Sequence, residues 1–269
     1  MSFRDRIDNV QSRGHLCIGL DPHPDSLPEH VTPDRDGIGR FLGAIVEATA
    51  PYAVAYKPNA AFYEALGPWG WETLEALREV VPGDKLLILD AKRGDVGHTA
   101  ARYAHAAFAR IGADAVTLSP YLGEDSLAPF LEDPERGAFL LCLTSNPGAT
   151  RWQTLSVDGQ PMYLKVAAWA SELDVRGNVG LVAGATRPDT IEEINSVSGG
   201  LPLLLPGVGA QQGDLLATVR AAQGAPFLIN VSRAIVGASR GRDFADAAAE
   251  AAARLHEQIT HAEAAVVGS

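Results

Sequence analysis

Eight short apolar runs, each followed by a longer stretch with helical spacing, constrain this chain more than any other feature. The runs are His15–Leu20, Ala53–Lys57, Lys85–Asp90, Ala115–Ser119, Ala138–Thr144, Val179–Ala183, Leu201–Pro206 and Pro226–Val231. Near-continuous apolar runs of this length read as strands buried on both faces, the signature of a parallel sheet. Between them, Ile38–Ala50, Ala60–Val81, His98–Ile111, Met162–Leu173, Asp189–Val197, Asp214–Ala222 and Arg242–Ala264 repeat apolar residues at helical intervals, and Gly123–Leu131 does so more weakly. Eight strand–helix units in 269 residues predict an α/β fold, a (β/α)8 TIM barrel, with residues 1–269 forming a single domain. A doubly wound sheet of fewer strands is the alternative architecture. Pro22–Pro33 and Asn146–Pro161 read as long loops after the first and fifth strands, and no Ser- or Pro-rich linker divides the chain.

The formal charge of −11 argues against a broad surface for nucleic acid or an anionic membrane. A small phosphorylated ligand needs only a local positive site and stays open. Cys17 and Cys142 are the only cysteines; both lie inside apolar runs and read as buried thiols. The stretch Met1–Asp8 alternates charge and lacks the apolar segment of a signal peptide. No apolar run approaches the ~20 residues needed to span a membrane. A cytoplasmic protein is the expectation.

Active sites of such barrels lie at the C-terminal ends of the strands. Polar residues just after each run therefore bear directly on chemistry. They are Asp21 after the first, Lys57 after the second, and Asp90, Lys92 and Asp95 at the third. Ser119 and Tyr121 follow the fourth, Thr144, Ser145 and Asn146 the fifth, and Asn230, Ser232 and Arg233 the eighth. Residues two apart in an extended segment point the same way, so Asp90 and Lys92 should emerge side by side. At ~4 Å and an effective dielectric near ~20 their attraction is ~4 kcal/mol, enough to favour the ammonium form, a proton donor. A plain ion pair closing a strand would look the same locally. The wider pattern, two lysines and three carboxylates at one mouth, is costly to bury unless paired and points to a functional site.

The loop after the seventh run carries Gly207, Gly209 and Gly213, which allow close backbone approach, and leads into a helix whose N-terminus favours an anion. Arg233 follows the eighth run with a fork suited to phosphate oxygens. Loops after strands seven and eight often bind phosphate in barrels of this kind.

These residues carry a resemblance. Leu20-Asp21-Pro22, Lys57-Pro58-Asn59-Ala60-Ala61-Phe62, Asp90-Ala91-Lys92-Arg93-Gly94-Asp95, Thr144-Ser145-Asn146-Pro147-Gly148, Pro206-Gly207-Val208-Gly209-Ala210-Gln211 and Arg233 together resemble the orotidine 5′-phosphate decarboxylase family, in its longer bacterial subgroup. The blocks span most of the chain and occur in the family's order. The resemblance implies conversion of orotidine 5′-monophosphate to uridine 5′-monophosphate and CO2, the last step of de novo UMP synthesis, with no cofactor and no metal. It implies an array of Lys57, Asp90, Lys92 and Asp95, with Lys92 protonating C6 and Asp90 beside the substrate carboxylate. Lys57 and Asp21 would hold ribose hydroxyls, Ser145 the pyrimidine ring, and Gly207, Gly209, Gln211 and Arg233 the phosphate. Asp95 and Thr99 would reach the neighbouring subunit's site, making the active form a homodimer.

Three other readings fit parts of the pattern. A Mg²⁺-dependent sugar-phosphate decarboxylase or synthase shares the Asp-x-Lys-x-x-Asp spacing, but no further acidic metal ligand stands out. A Schiff-base aldolase needs a neutral lysine, which flanking carboxylates oppose. A non-catalytic phosphate-ligand binding protein would not need alternating charges at one mouth.

Overall fold

The computed structural model describes residues 1–24, 27–207 and 214–268. Strands β1 (Leu16–Gly19), β2 (Ala55–Lys57), β3 (Leu86–Arg93), β4 (Ala115–Leu118), β5 (Gly137–Leu143), β6 (Val179–Ala183), β7 (Leu203–Pro206) and β8 (Phe227–Val231) form one parallel barrel. They follow chain order around the ring, and β8 closes on β1 with Leu16 opposite Ile229 and Ile18 opposite Val231. This is the expected single-domain (β/α)8 barrel rather than the doubly wound sheet.

The inner and outer strand faces bury different cores. Outward residues such as Leu16, Ile18, Leu87, Leu140 and Leu205 pack under the helices. Inward residues Cys17, Ala55, Ile88, Ala115, Phe139, Leu204 and Leu228 form a separate cluster. Two residues further along, on the same inward face, come Gly19, Lys57, Asp90, Thr117 and Asn230. The top interior layer is therefore polar on four of five adjacent strands, with bare backbone at Gly19 on the fifth, beginning where the apolar filling stops.

The N-terminal helix α1 (Phe3–Gln11) closes the opposite end of the barrel and lies outside the elements expected from periodicity. Its buried Phe3, Ile7 and Val10 join the inner cluster, and the Phe3 ring meets that of Phe139 edge-on at 6.0 Å. A readable signal was present: Ser2 and Asp5 form a capping box ahead of that apolar spacing. With the bottom plugged, a ligand has only the C-terminal mouth to enter.

Other departures are local. The stretch 60–81 is not one helix but two, α2 being Arg35–Thr49, α3 Ala60–Glu64 and α4 Pro68–Val80. Pro68 opens the new helix because the residue before a proline is pushed out of helical conformation. Helix α5 (Gly97–His105) ends in a π-helical turn, Ala106–Arg110. The expected loop 146–161 contains a 3-10 turn, Pro147–Arg151, and a hairpin pairing Ser156–Val157 with Gln160–Pro161. The remaining helices are α6 (Glu124–Leu131), α7 (Met162–Leu173), α8 (Pro188–Ser198), α9 (Leu215–Ala221), α10 (Arg233–Val236) and α11 (Phe244–Val267). Both cysteines are free and buried, and burial pushes each thiol up to about 12. No helix among the described residues is long and apolar enough to cross a membrane.

Candidate active site

The polar layer is organised around one carboxylate. Asp90 accepts a hydrogen bond from Lys57 Nζ at 2.7 Å on Oδ2 and from Lys92 Nζ at 2.6 Å on Oδ1. Thr117 Oγ1 donates to the same Oδ1 at 2.9 Å. Both Asp90 and Lys57 are buried, at 8% and 4% exposure, whereas the Lys92 side chain is 48% exposed. Burial alone would raise the Asp90 carboxyl, but the ammonium groups of Lys57 and Lys92 outweigh it and hold it well below the usual carboxylate range. Burial would likewise depress Lys57; Asp90 first and Asp21 second reverse this and keep it raised. The buried ion pair thus stays charged, and one cation, Lys92, is presented to the mouth.

The Asp90–Lys92 pairing was expected, but not its backbone. Lys92 has φ of 48°, in the left-handed region, and the β3–β4 register shifts between Leu89 and Arg93. The strand runs to Arg93 with a bulge rather than ending at Asp90. Simple alternation therefore gave the right neighbours by the wrong route.

A second connection runs through Asn59. Its backbone N–H donates to Asp21 Oδ1 at 3.1 Å, and it pairs in parallel with Asp90, whose own N–H donates to Pro58 O at 2.9 Å. Its side chain caps α3 through Ala61 N–H. One residue thus ties the end of β1, the start of α3 and the charged centre together.

Of the three expected carboxylates, Asp90 binds both lysines and Asp21 binds Asn59 N–H. The Asp95 carboxylate accepts from Val96 N–H at 2.7 Å, and no described residue links it to the array. Thr99 lies in the first turn of α5 and its hydroxyl has no partner among the described residues. Ser145 follows β5, half-buried, in a loop strapped by Gln153, whose Oε1 accepts from Thr144 N–H at 2.8 Å. Gly207 follows β7 with φ of 111°, a conformation that favours glycine. Gly209 and Gln211 lie outside the described residues. Arg233 opens α10, exposed, with no partner among the described residues. Helix α9 is capped by Asp214, whose carboxylate accepts from Ala217 N–H at 3.1 Å.

Thr117 escaped the sequence reading, whereas Asn59 and Asn230 were named there without a role. Asn230 is 8% exposed beside Cys17, whose thiol donates to its Oδ1 at 3.6 Å. Thr117 is the most informative omission, because a hydroxyl on an inward strand position beside Asp90 had a structural purpose that spacing alone could not reveal. Among the described residues, no cluster of three His, Cys, Asp or Glu side chains could hold a metal ion.

Comparison with known proteins gives one answer. A protein named orotidine 5′-phosphate decarboxylase from Roseiflexus castenholzii is 49% identical over 273 residues, covering 99% of this chain and 100% of that protein. A protein of the same name from Herpetosiphon aurantiacus is 51% identical over 249 residues, covering 92% of this chain and 93% of its own. The structure of Leishmania donovani OMP decarboxylase superimposes with a TM-score of 0.86 at 38% identity, covering 98% of this chain and 99% of that one. Residues 14–249 match the model of the orotidine 5′-phosphate decarboxylase / HUMPS family, and with these relatives along nearly its whole length the chain belongs to that family.

Proposed function

We propose that this protein decarboxylates orotidine 5′-monophosphate to uridine 5′-monophosphate, closing de novo UMP synthesis in the cytoplasm. The observation that carries this reading is the Lys57–Asp90–Lys92 chain, two cations on one buried carboxylate, Lys92 the far more exposed of the two.

The C6–carboxylate bond breaks, CO2 departs, and the electron pair stays on C6. Lys92 gives that carbon its proton and is reprotonated from solvent. A fixed ammonium aimed at developing negative charge is an electrostatic form of catalysis that needs no electron sink. Asp90 holds Lys92 in place and faces the departing carboxylate. Lys57 neutralises Asp90 from below and, with Asp21, meets the ribose hydroxyls. Ser145 meets the ring, and Gly207, Gly209, Gln211 and Arg233 grip the phosphate. Binding energy from the remote phosphate orients the reacting carbon.

A homodimer belongs to the same reading, with Asp95 and Thr99 acting in the neighbouring site. Asp95, unattached to its own array, supports this, as does an adjacent apolar face. Tyr121 at 91% exposure, Leu122, Trp152 and Met162 leave large apolar surface uncovered. Leu122 lies beside Gly94, next to Asp95. Tyr121, Trp152 and Met162 border one cavity of about 900 Å³.

The test is to follow ultraviolet loss of the orotate chromophore on mixing purified protein with orotidine 5′-monophosphate in EDTA. Conversion to uridine 5′-monophosphate is expected. No conversion by folded protein would discard the decarboxylase reading, and activity appearing only on adding Mg²⁺ to a sugar phosphate would favour the metal-dependent relatives.

A further inference from the structure

We propose that Thr117 is the positioning residue for the proton donor: its hydroxyl locks together the Asp90 carboxylate and the left-handed backbone of Lys92. The inference rests on the decarboxylase reading and goes beyond it by adding a residue that does not touch the substrate.

Among the described residues only Lys92 and Asp158 combine a side chain with positive φ. Asp158 sits with Gly159 in the turn of the short hairpin, where such a conformation is ordinary. Lys92 has no turn to explain it. A Cβ in this region crowds the following carbonyl, so the conformation persists only where surroundings impose it.

The imposing contact is Thr117. Lys92 N–H leaves the ladder at the β3 bulge and donates to Thr117 Oγ1 at 2.9 Å. The same oxygen donates its proton to Asp90 Oδ1 at 2.9 Å, the oxygen that also holds Lys92 Nζ at 2.6 Å. A hydroxyl accepts and donates at once, which no apolar residue of similar shape can do. The three groups form a closed loop: Lys92 backbone to Thr117, Thr117 to Asp90, Asp90 to the Lys92 ammonium. Thr117 is 1% exposed, so no solvent hydroxyl stands ready to replace it. Without it, the bulge can relax toward an extended register, and the Lys92 stem then leaves the Asp90 oxygen from another direction.

The experiment compares Thr117→Val, Thr117→Ser and Thr117→Ala with wild type in kcat and KM for orotidine 5′-monophosphate, affinity for uridine 5′-monophosphate, and Tm. Removing the hydroxyl should lower kcat by about tenfold or more, as expected for losing hydrogen bonds to a charged group. Product affinity should stay within about twofold, because ribose, ring and phosphate contacts remain. Thr117→Ser keeps the hydroxyl and should retain wild-type kcat. A merely structural role would lower Tm while leaving kcat per folded site unchanged. If the valine variant does not fold, the serine–alanine pair makes the same comparison. Wild-type kcat without the hydroxyl, or a serine variant as slow as alanine, overturns the proposal while leaving the decarboxylase reading intact. A wild-type protein inert toward orotidine 5′-monophosphate overturns both.

Discussion

A Cβ placed on Gly19 would lie 1.7 Å from Ser232 Oγ and 2.7 Å from Ser232 Cβ. The bare backbone at the end of β1 is what lets Ser232 lie against it, and Ser232 immediately precedes Arg233 at the start of α10. Gly19→Ala must therefore push the strand-eight exit outward. The expected cost is about 1–3 kcal/mol of stability from overpacking, with weaker binding of uridine 5′-monophosphate as Arg233 shifts. Urea unfolding and product titration check this; unchanged affinity would separate Gly19 from the phosphate grip.

Lys92 and Arg233 should fail differently when truncated. Lys92→Ala removes a half-exposed cation while leaving the buried Lys57–Asp90 pair, so turnover should vanish with the fold and much of the nucleotide affinity retained. Arg233→Ala should act mainly on binding, raising KM. Steady-state kinetics beside product affinity distinguish the two, and wild-type turnover from Lys92→Ala would remove it as the proton donor.

The unattached Asp95 makes a sharper prediction about assembly. If Asp95 completes the neighbouring site, mixing inactive Lys92→Ala with inactive Asp95→Ala and allowing subunits to exchange should restore activity. Random pairing gives about a quarter of the wild-type level, one intact site in each mixed dimer. Activity no higher than that of the separate variants, in a mixture shown to contain mixed dimers, would place Asp95 in its own subunit's chemistry or outside it.

The far end of the barrel depends on Asp114, 4% exposed ahead of β4. Its carboxylate meets Arg6 at 2.8 Å, Arg78 at 3.1 Å, Arg136 at 3.5 Å and Leu87 N–H at 2.8 Å. Asp114→Ala would leave three guanidinium groups facing one another and a buried N–H unpaired. The expected loss is about 3–5 kcal/mol, read as a lower urea midpoint, with kcat per folded molecule unchanged because the site lies at the other end.

The central charges also set a pH dependence. Asp90 is depressed, so its contribution is full above the ordinary aspartate value of ~3.9 and disappears as pH falls through the lowered folded value. Lys57 is raised, so its contribution is full below ~10.4 and is lost as pH rises through the raised folded value. A Lys57→Met/Asp90→Leu double variant should be inactive, about as stable as wild type near neutrality, and flatter on both limbs of a stability–pH curve. An acid limb as steep as wild type would assign that dependence to other carboxylates.

Much of this was legible before any coordinates. The eight apolar runs located all eight strands, because a strand buried on both faces has no choice but to be apolar along its length. The residues after those runs included Asp21, Lys57, Asp90 and Lys92, because a barrel exposes only strand ends to a ligand. What stayed hidden depended on side chains far apart in sequence. Helix α1 carried its capping box openly, yet its role as a plug exists only once Phe3 meets Phe139. Thr117 reads as one more β-branched residue until the fold brings its hydroxyl to Asp90, 27 positions earlier.

The sequence alone determined the barrel, the mouth at which its polar residues gather, and the family to which those motifs point, since periodicity and local order of residue types survive without coordinates. Only the tertiary structure decided the rest: that Lys92 reaches Asp90 through a left-handed bulge, that Thr117 joins the two, and that Asp214 caps α9. Each is a matter of which donor meets which acceptor at hydrogen-bonding distance, and a one-dimensional pattern specifies neighbours along a strand but not the direction in which a side chain or an N–H finally points.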